Sequence, residues 1–593
     1  MKTFVAAFFL LLLQQQAPPK GSIEGIVVRI GTDEPIADAR IVVTRAAIGQ
    51  IISQGAPLPN LPAGAVITST GPNLPGLGTA IPAVSTDSQG KFVVKDLDAG
   101  SYRVSAAANG FARQEYGQRV FGAQGTPITL AAGQALKDVG IRLTPAGYLN
   151  GRISDDLGRP AVGAAVQLVR GSYDPTGRKT FQSAGQTRTN DRGEYRIYWV
   201  TPGRYYLYAG STQGPVRPIE IGGAGDSPNG VQESYAQLYY PGVIDIKDAA
   251  VIDVQPGAEL NAIDFSLPRQ RLYRIRGRVI EARTGQRPAA ASMSLGSRSL
   301  TGGGFSSGLT SNYNASDGTF ELRDVAPGNY TVAAQIQEPG QTAAPPIFPI
   351  GTAARPFGAT NVTVSGADVE GIIVTITSGA SIPGRITVEG QELSAVNGLD
   401  RIRVQLSNQT SLNTSMFLPQ PQTQTVNATD GSFREDSVFP GEYRVTVVPL
   451  PPGFYLKEVR FDQTDSLNKP LQFTGSVSTP LDVVISAKGA QIDGSVTNEK
   501  QEPARGIQAV LIPDQHRDRT DLFKTVLTDQ NGRFSFRGVP PGDYKIFAWE
   551  AIEQFSYYDS DVVQRFESKG KPIHVNESDK ANAEVKIIPA DGG

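Results

Sequence analysis

Two histidines are all the imidazole this chain offers, His516 and His574, and the second stands in His574-Val575-Asn576-Glu577, an H-x-x-E spacing. A protein zinc site needs at least three such ligands. The motif lies in an alternating, strand-like segment nineteen residues from the last residue, which leaves no room for a third ligand downstream, so no metal role is expected. Cysteine is absent, which removes disulfides, thiolate metal sites, a cysteine nucleophile and a lipid-modified N-terminal cysteine. Serines abound, yet nothing like Gly-x-Ser-x-Gly at a strand-to-helix turn is evident. Phosphate-binding glycine loops also need a helix to open, and the sequence shows none. The residue types point away from catalysis, and no cofactor or metal is expected.

The aspartates that could invite calcium belong to a repeated phrase, clearest as Thr528-Asp529-Gln530-Asn531-Gly532-Arg533-Phe534 and Pro540-Pro541-Gly542-Asp543-Tyr544. It occurs five times, with turn glycines Gly90, Gly193, Gly318, Gly431 and Gly532. A second glycine follows ten residues later (Gly100, Gly203, Gly328, Gly441, Gly542), and a tyrosine two after that (Tyr102, Tyr205, Tyr330, Tyr443, Tyr544). Such regularity marks an internal repeat. A calcium loop wants several carboxylates at alternate positions. Each turn here has one or two, so Asp87, Asn190, Asp317, Asp430 and Asp529 read as turn-setting residues before a glycine of positive φ. The phrase as a whole reads as a β-hairpin closed by a type II Pro-Gly turn. An aromatic two after the first glycine (Phe92, Tyr195, Phe320, Phe433, Phe534) starts a strand alternation. In the fourth repeat Glu435 interrupts it, which predicts a frayed or edge strand.

Each repeat belongs to a unit that opens on a glycine-bearing strand, at Gly25, Gly151, Gly277, Gly384 and Gly494, spaced 126, 126, 107 and 110 residues apart. A second strand follows a proline, as after Pro35, Pro160 and Pro503, and a last strand closes the unit, as at Val139 to Leu143 or Val585 to Ile588. Short strands punctuated by glycine and proline, with almost no helical periodicity, predict an all-β chain of about five seven-stranded antiparallel β-sandwiches. The boundaries are 20–146, 147–270, 271–378, 379–487 and 488–593. Ahead of them Met1-Lys2-Thr3 and the ten apolar residues Phe4 to Leu13 read as a signal peptide over 1–19, too short to span a membrane, with Ala17 the candidate for cleavage. An uncleaved anchor is the alternative.

The glycine-bearing first strand, the proline-led second strand and the Thr-Asp-x-x-Gly-x-Phe…Pro-Gly-x-Tyr phrase resemble the carboxypeptidase regulatory-like domain of the transthyretin-like superfamily, over nearly all of 20 to 590. That fold is similar to starch-binding-like modules and collagen-adhesin B-type domains. The resemblance implies a non-catalytic β-sandwich on an exported bacterial protein, periplasmic, outer-surface or secreted. The lysine-to-asparagine isopeptide bond of B-type domains is not expected, because the first strands carry Arg152, Arg278 and Arg385 where a lysine is needed. The iron site of the related intradiol dioxygenases needs two tyrosines and paired histidines. Tyr557 and Tyr558 are present, but the histidines are 58 apart.

What remains is surface that the fold does not require. If Tyr205 and Leu207 face inward, then Tyr206 and Tyr208 face outward, with Tyr198 at the same parity on the strand before; Phe547 and Trp549 are outward in the fifth unit. Tyr239, Tyr240, Tyr557 and Tyr558 add aromatics in loops. Flat rings beside polar groups suit a sugar platform, or else they pack under loops. Ala46 to Ser85 is an uncharged insertion of forty residues, long enough to contact a partner. With a net charge of −2 and 19% charged residues, nothing argues for nucleic acid. The expectation is an exported, non-enzymatic binding or scaffold protein. Its partner is a polysaccharide, bound on units two and five, or a surface protein, as in a surface complex or hydrolase system.

Overall fold

The glycine-bearing strand that opens each sandwich sits inside a sheet with a neighbour on both sides. In the computed structural model Gly21–Arg29 pairs antiparallel with Lys91–Leu97 and parallel with Ala135–Leu143. Tyr273–Glu281, Ala380–Val388 and Ala490–Thr497 repeat the arrangement, each with one antiparallel and one parallel partner. In the second sandwich Gly147–Asp155 lies beside Glu194–Val200 and takes Glu259–Leu260 and Phe265–Leu267 in parallel. The described residues are 19–45, 81–118, 121, 125–210, 233–297, 311–336, 356–396, 398–409, 421–477 and 479–590. The signal segment up to residue 18, most of the uncharged insertion and the Gly302-Gly303-Gly304 stretch lie outside them.

The opposing sheet pairs the proline-led second strand with the strand that follows the second glycine. The pairs are Arg40–Arg45 with Gly100–Ala107, Ala165–Tyr173 with Gly203–Gly210, Ala291–Ser297 with Gly328–Ile336, Arg403–Asn408 with Gly441–Val448, and Gln508–Pro513 with Gly542–Trp549. The sandwiches are therefore antiparallel apart from the pairing of first and last strands, which is parallel and in the second sandwich is split into two short runs, and nearly every element is a strand. Between the sheets lie apolar cores such as Ile23, Val27, Phe92, Tyr102 and Ile141 in the first, and Ile492, Phe534, Tyr544 and Val585 in the fifth. The chain divides into two compact units, the first sandwich and the stretch from Tyr148 onward.

These pairings correct the hairpin reading. Lys91–Leu97 and Gly100–Ala107 sit in different sheets, so the step between them, Ala99-Gly100 here and Pro-Gly in the other four, carries the chain over the edge of the core and does not fold it back on itself. The second glycine has φ between 149° and 159° in Gly203, Gly328, Gly441 and Gly542, far from the roughly +80° of a type II turn. The corner is held by the repeated tyrosine. The hydroxyls of Tyr102, Tyr205, Tyr330, Tyr443 and Tyr544 donate to the carbonyls of Asp98, Thr201, Ala326, Phe439 and Pro540, at 2.5 to 2.9 Å. This is a tyrosine corner, an aromatic side chain that packs in the core and satisfies a carbonyl four residues upstream. Burial pushes the Tyr330 phenol up to about 12.

The turn-setting reading holds in detail. The turn glycines have φ of 70° to 76°. Asp87 Oδ1 accepts from the backbone N–H groups of Gln89 and Lys91, and Asn190 and Asp529 do the same two and four residues on. Glu435 does not fray its strand: it is fully buried, and Ser432–Val438 is flanked by Ala380–Val388 and Gln422–Thr423, each of which places a residue opposite it. One further feature recurs. The sixth residue after each turn glycine is left-handed, Asp96 at φ 62°, Trp199 at 55°, Asp324 at 62°, Ser437 at 63° and Gly538 at 64°, and in the first, third, fourth and fifth sandwiches the register slips there as at a bulge.

Candidate binding platform

In the fifth sandwich, Phe547 and Trp549 do face away from the main core, as parity requires, but they are 0% and 1% exposed. The connection after Trp549 folds over them as three short helices, Ser556–Tyr558, Ser560–Gln564 and Glu567–Lys569. A second small core results, with Val510, Ile512, Phe523, Tyr557 and Val563. Phe547 stacks on Trp549 at 5.0 Å, and Phe566 meets the indole edge-on at 5.7 Å. Burying two such rings stabilises by several kcal/mol, at roughly 25 cal/mol per Å². The predicted platform of the fifth unit is thus interior. Tyr557 is buried too, its phenol pushed up to about 12, and the Tyr558 ring lies tilted beside it at 4.8 Å and meets Gly177 of the second sandwich.

The H-x-x-E residues do not converge. His574 Nδ1 lies 2.7 Å from Asp543 Oδ1, whereas Glu577 binds Lys457 and Tyr455 of the fourth sandwich, at 2.6 and 2.8 Å. Among the described residues no group of three or more His, Asp or Glu side chains is placed to hold a metal.

In the second sandwich, the predicted stripe divides. Tyr206 packs edge-on against Phe181 at 5.9 Å, and Tyr208 lies 5.3 Å from Tyr239, which is 6% exposed. With Val169 and Ile246 they form a small outer cluster, and burial pushes the Tyr208 and Tyr239 phenols up. Tyr240 meets Phe265 edge-on at 5.8 Å. These four serve packing. The physical reason is again a connection, here Leu238 to Ala249, that returns over the sheet.

Tyr198 has a different environment. It lies on the other sheet and is 56% exposed, and Trp199 beside it, which the parity argument did not single out, is 62% exposed. The bulge explains both: with Trp199 left-handed, two consecutive side chains face out between the buried Ile197 and Val200. The Arg196 guanidinium sits 4.0 Å from the Tyr148 ring centroid and 4.6 Å from that of Tyr198, inserted between two rings. A hydrogen bond to the Glu259 carboxylate raises the Tyr148 phenol above its ordinary pKa. Beside the stack an open depression of about 600 Å³ is lined by Asn150, Arg152, Asn190, Glu194 and Asp264. Asp264 Oδ1 accepts from the Arg152 N–H at 2.6 Å and Glu194 Oε2 from Asn190 at 3.0 Å, which fixes both carboxylates.

The fifth sandwich has a depression at the same place, over Gly494, lined by Asp493, Ser495, Asp529, Arg533 and Glu584. Phe534 lines it but nothing there matches the ring stack: by repeat position, Gln491, Ser535, Arg537 and Gly538 stand where the second sandwich has Tyr148, Arg196, Tyr198 and Trp199. The signal for Trp199 was in the sequence, as the one aromatic at a position that otherwise holds Asp, Ser or Gly.

Residues 487–569, which contain the clearest copy of the repeated phrase, match the family model for the BOS complex subunit NOMO1-like second beta sandwich domain. The chain is a tandem array of β-sandwiches, and the matched segment 487–569 is similar to a NOMO1-like β-sandwich domain. None of the curated proteins matches it. Among solved structures it is similar to the Bacillus anthracis TIE protein at 10% identity, over 72% of this chain and 69% of that one, with a TM-score of 0.15. The streptococcal ancillary pilin is 9% identical over 53% of this chain and 98% of its own, at 0.18. BcpA, the major pilin subunit of Bacillus cereus, is 10% identical over 74% and 98%, at 0.13. Likenesses of this size carry no functional argument.

Proposed function

We propose that this chain is an exported, non-enzymatic binding or scaffold protein of five β-sandwiches, held at or beyond the cell envelope. The observation that carries the reading is the exposed Tyr148–Arg196–Tyr198 stack, a recognition surface on a sheet whose fold does not need it. It is supported by the polar groups around that stack, which are pinned by hydrogen bonds and are not arranged as nucleophile and base. No helix among the described residues is long and apolar enough to cross a membrane. Polysaccharide is one partner class, favoured by the aromatic stack. A surface protein bound through Ala46 to Ser85 is the other, favoured by that insertion's length and lack of charge.

Two measurements test this. N-terminal sequencing of the native protein should find a start near Ala17 or Pro18, and an intact Met1 in the cytoplasmic fraction would refute export. Purified full-length chain should turn over no glycosidase, esterase or peptidase substrate; any activity abolished by chelator or serine reagent would end the non-enzymatic reading.

A further inference from the structure

We infer that the outer face of the Glu194–Val200 sheet is a binding site for a neutral polysaccharide, whose sugar rings seat on Tyr148, Tyr198 and Trp199 and whose hydroxyls meet Asn150, Glu194 and Asp264. The inference rests on the non-enzymatic binding reading and gives that reading a ligand class.

Backbone strain supplies the first argument. A bulky residue held at φ 55° is costly, and the other sandwiches relieve that bulge with Asp96, Asp324, Ser437 or Gly538. Trp199 gains no compensating burial, since it is 62% exposed. An exposed, strained aromatic that packing does not explain marks a surface kept for something outside the fold.

Chemistry supplies the second. Arg196 holds two tyrosine rings on either side of its planar guanidinium, so the floor is preorganised before any ligand arrives. Aromatic faces take the apolar C–H faces of sugar rings, and the pinned carboxylates and amides can both accept from and donate to hydroxyls. A polyproline-type peptide also likes aromatic floors, but it brings carbonyl acceptors and no N–H donors, which leaves Glu194 and Asp264 nothing to accept. A polyanion would meet Glu194 and Asp264 with like charge beside Arg152, Arg188 and Arg196, so heparin is the contrast that decides between a neutral and an anionic polymer. The depression is open and lies beside the stack, so a ligand there is not enclosed.

The test uses the full-length chain in affinity electrophoresis and calorimetry against amylopectin, xyloglucan, galactomannan, xylan and a β-1,3-glucan, with heparin and a proline decapeptide as contrasts. At least one neutral polysaccharide should bind, and Tyr198→Ala and Trp199→Gly should each weaken it about tenfold, the loss of one aromatic contact. Trp199→Gly should leave the melting temperature unchanged or higher, because glycine stands at this bulge in the fifth sandwich; this separates lost binding from lost folding. Retention of wild-type affinity in both variants, no binding to any neutral polysaccharide, or binding of the decapeptide or heparin in their place would overturn the inference and leave the non-enzymatic reading standing. New reducing ends that depend on Tyr198 would support the site while overturning the non-enzymatic reading.

Discussion

Lys179 Nζ lies 3.3 Å from Asp559 Oδ2, a contact between the second and fifth sandwiches, which two others separate in sequence. Gly177 deepens the contact: a Cβ there would fall 2.2 Å from the Tyr558 Cβ. Lys179 is 60% exposed, so the ion pair itself contributes little and the steric fit sets the seam. A zero-length carbodiimide should therefore couple the Lys179 amine to the Asp559 carboxylate. Adding Gly177→Val should suppress the cross-link, and an undiminished yield would show that the seam does not depend on this fit.

The junction of the fourth and fifth sandwiches should respond to acid. Lys457 binds both Glu389 and Glu577 at 2.6 Å, and its hydrogen bond holds the Glu389 carboxyl down to about 2, with Glu577 also lowered. A carboxyl depressed below its ordinary value of 4.5 stabilises the folded state above that pH and loses the contribution as pH falls toward 2. Amide protection factors around Tyr455 and Glu577, taken against the intrinsic exchange rate at each pH, should fall across that window. In Lys457→Met the fall should be largely gone; an unchanged profile would mean that other groups govern the acid response.

Tyr443→Phe removes one hydroxyl from a corner where the Phe439 carbonyl has been carried into the core. The expected loss is about 1–2 kcal/mol in urea unfolding, the usual cost of stranding a buried acceptor. Tyr544→Phe should behave alike, whereas Tyr198→Phe, on an exposed ring, should be neutral.

Gly151 sits under the last strand of its sandwich, where a Cβ would come within 2.1 Å of the Ile263 carbonyl oxygen. That oxygen is also the acceptor of the Tyr195 hydroxyl at 2.7 Å, so it is not free to retreat. Gly151→Ala should cost about 1–3 kcal/mol, an overpacking penalty, measured by denaturant titration. Gly158→Ala is the contrast, since a Cβ there meets no neighbouring atom and only its φ of 73° resists the change.

The repeated phrase told the sandwich fold plainly, because turn glycines, their Asp or Asn partners and the inward aromatics are local signals. It misled about connectivity. A strand pair joined by Pro-Gly reads alike whether it stays in one sheet or crosses to the other, and only the tyrosine hydroxyl, whose acceptor lies four residues back, distinguishes the two. Parity correctly turned Trp549 and Tyr208 away from the main cores, yet exposure depends on what distant connections cover, and those connections carry no periodic signal. Tyr198 stayed exposed because none of the described segments returns over its sheet. Trp199 escaped because a bulge breaks the alternation on which parity rests.

The parallel pairing of first and last strands has a mechanical meaning. The chain enters each sandwich at one end of that pair and leaves at the other, so tension along the protein slides the two strands past each other and strains their evenly spaced bonds together. Seven paired positions resist in the first and fifth sandwiches. In the second the last strand is broken into runs of two and three, which makes the aromatic-bearing sandwich expected to yield at lower force than those two.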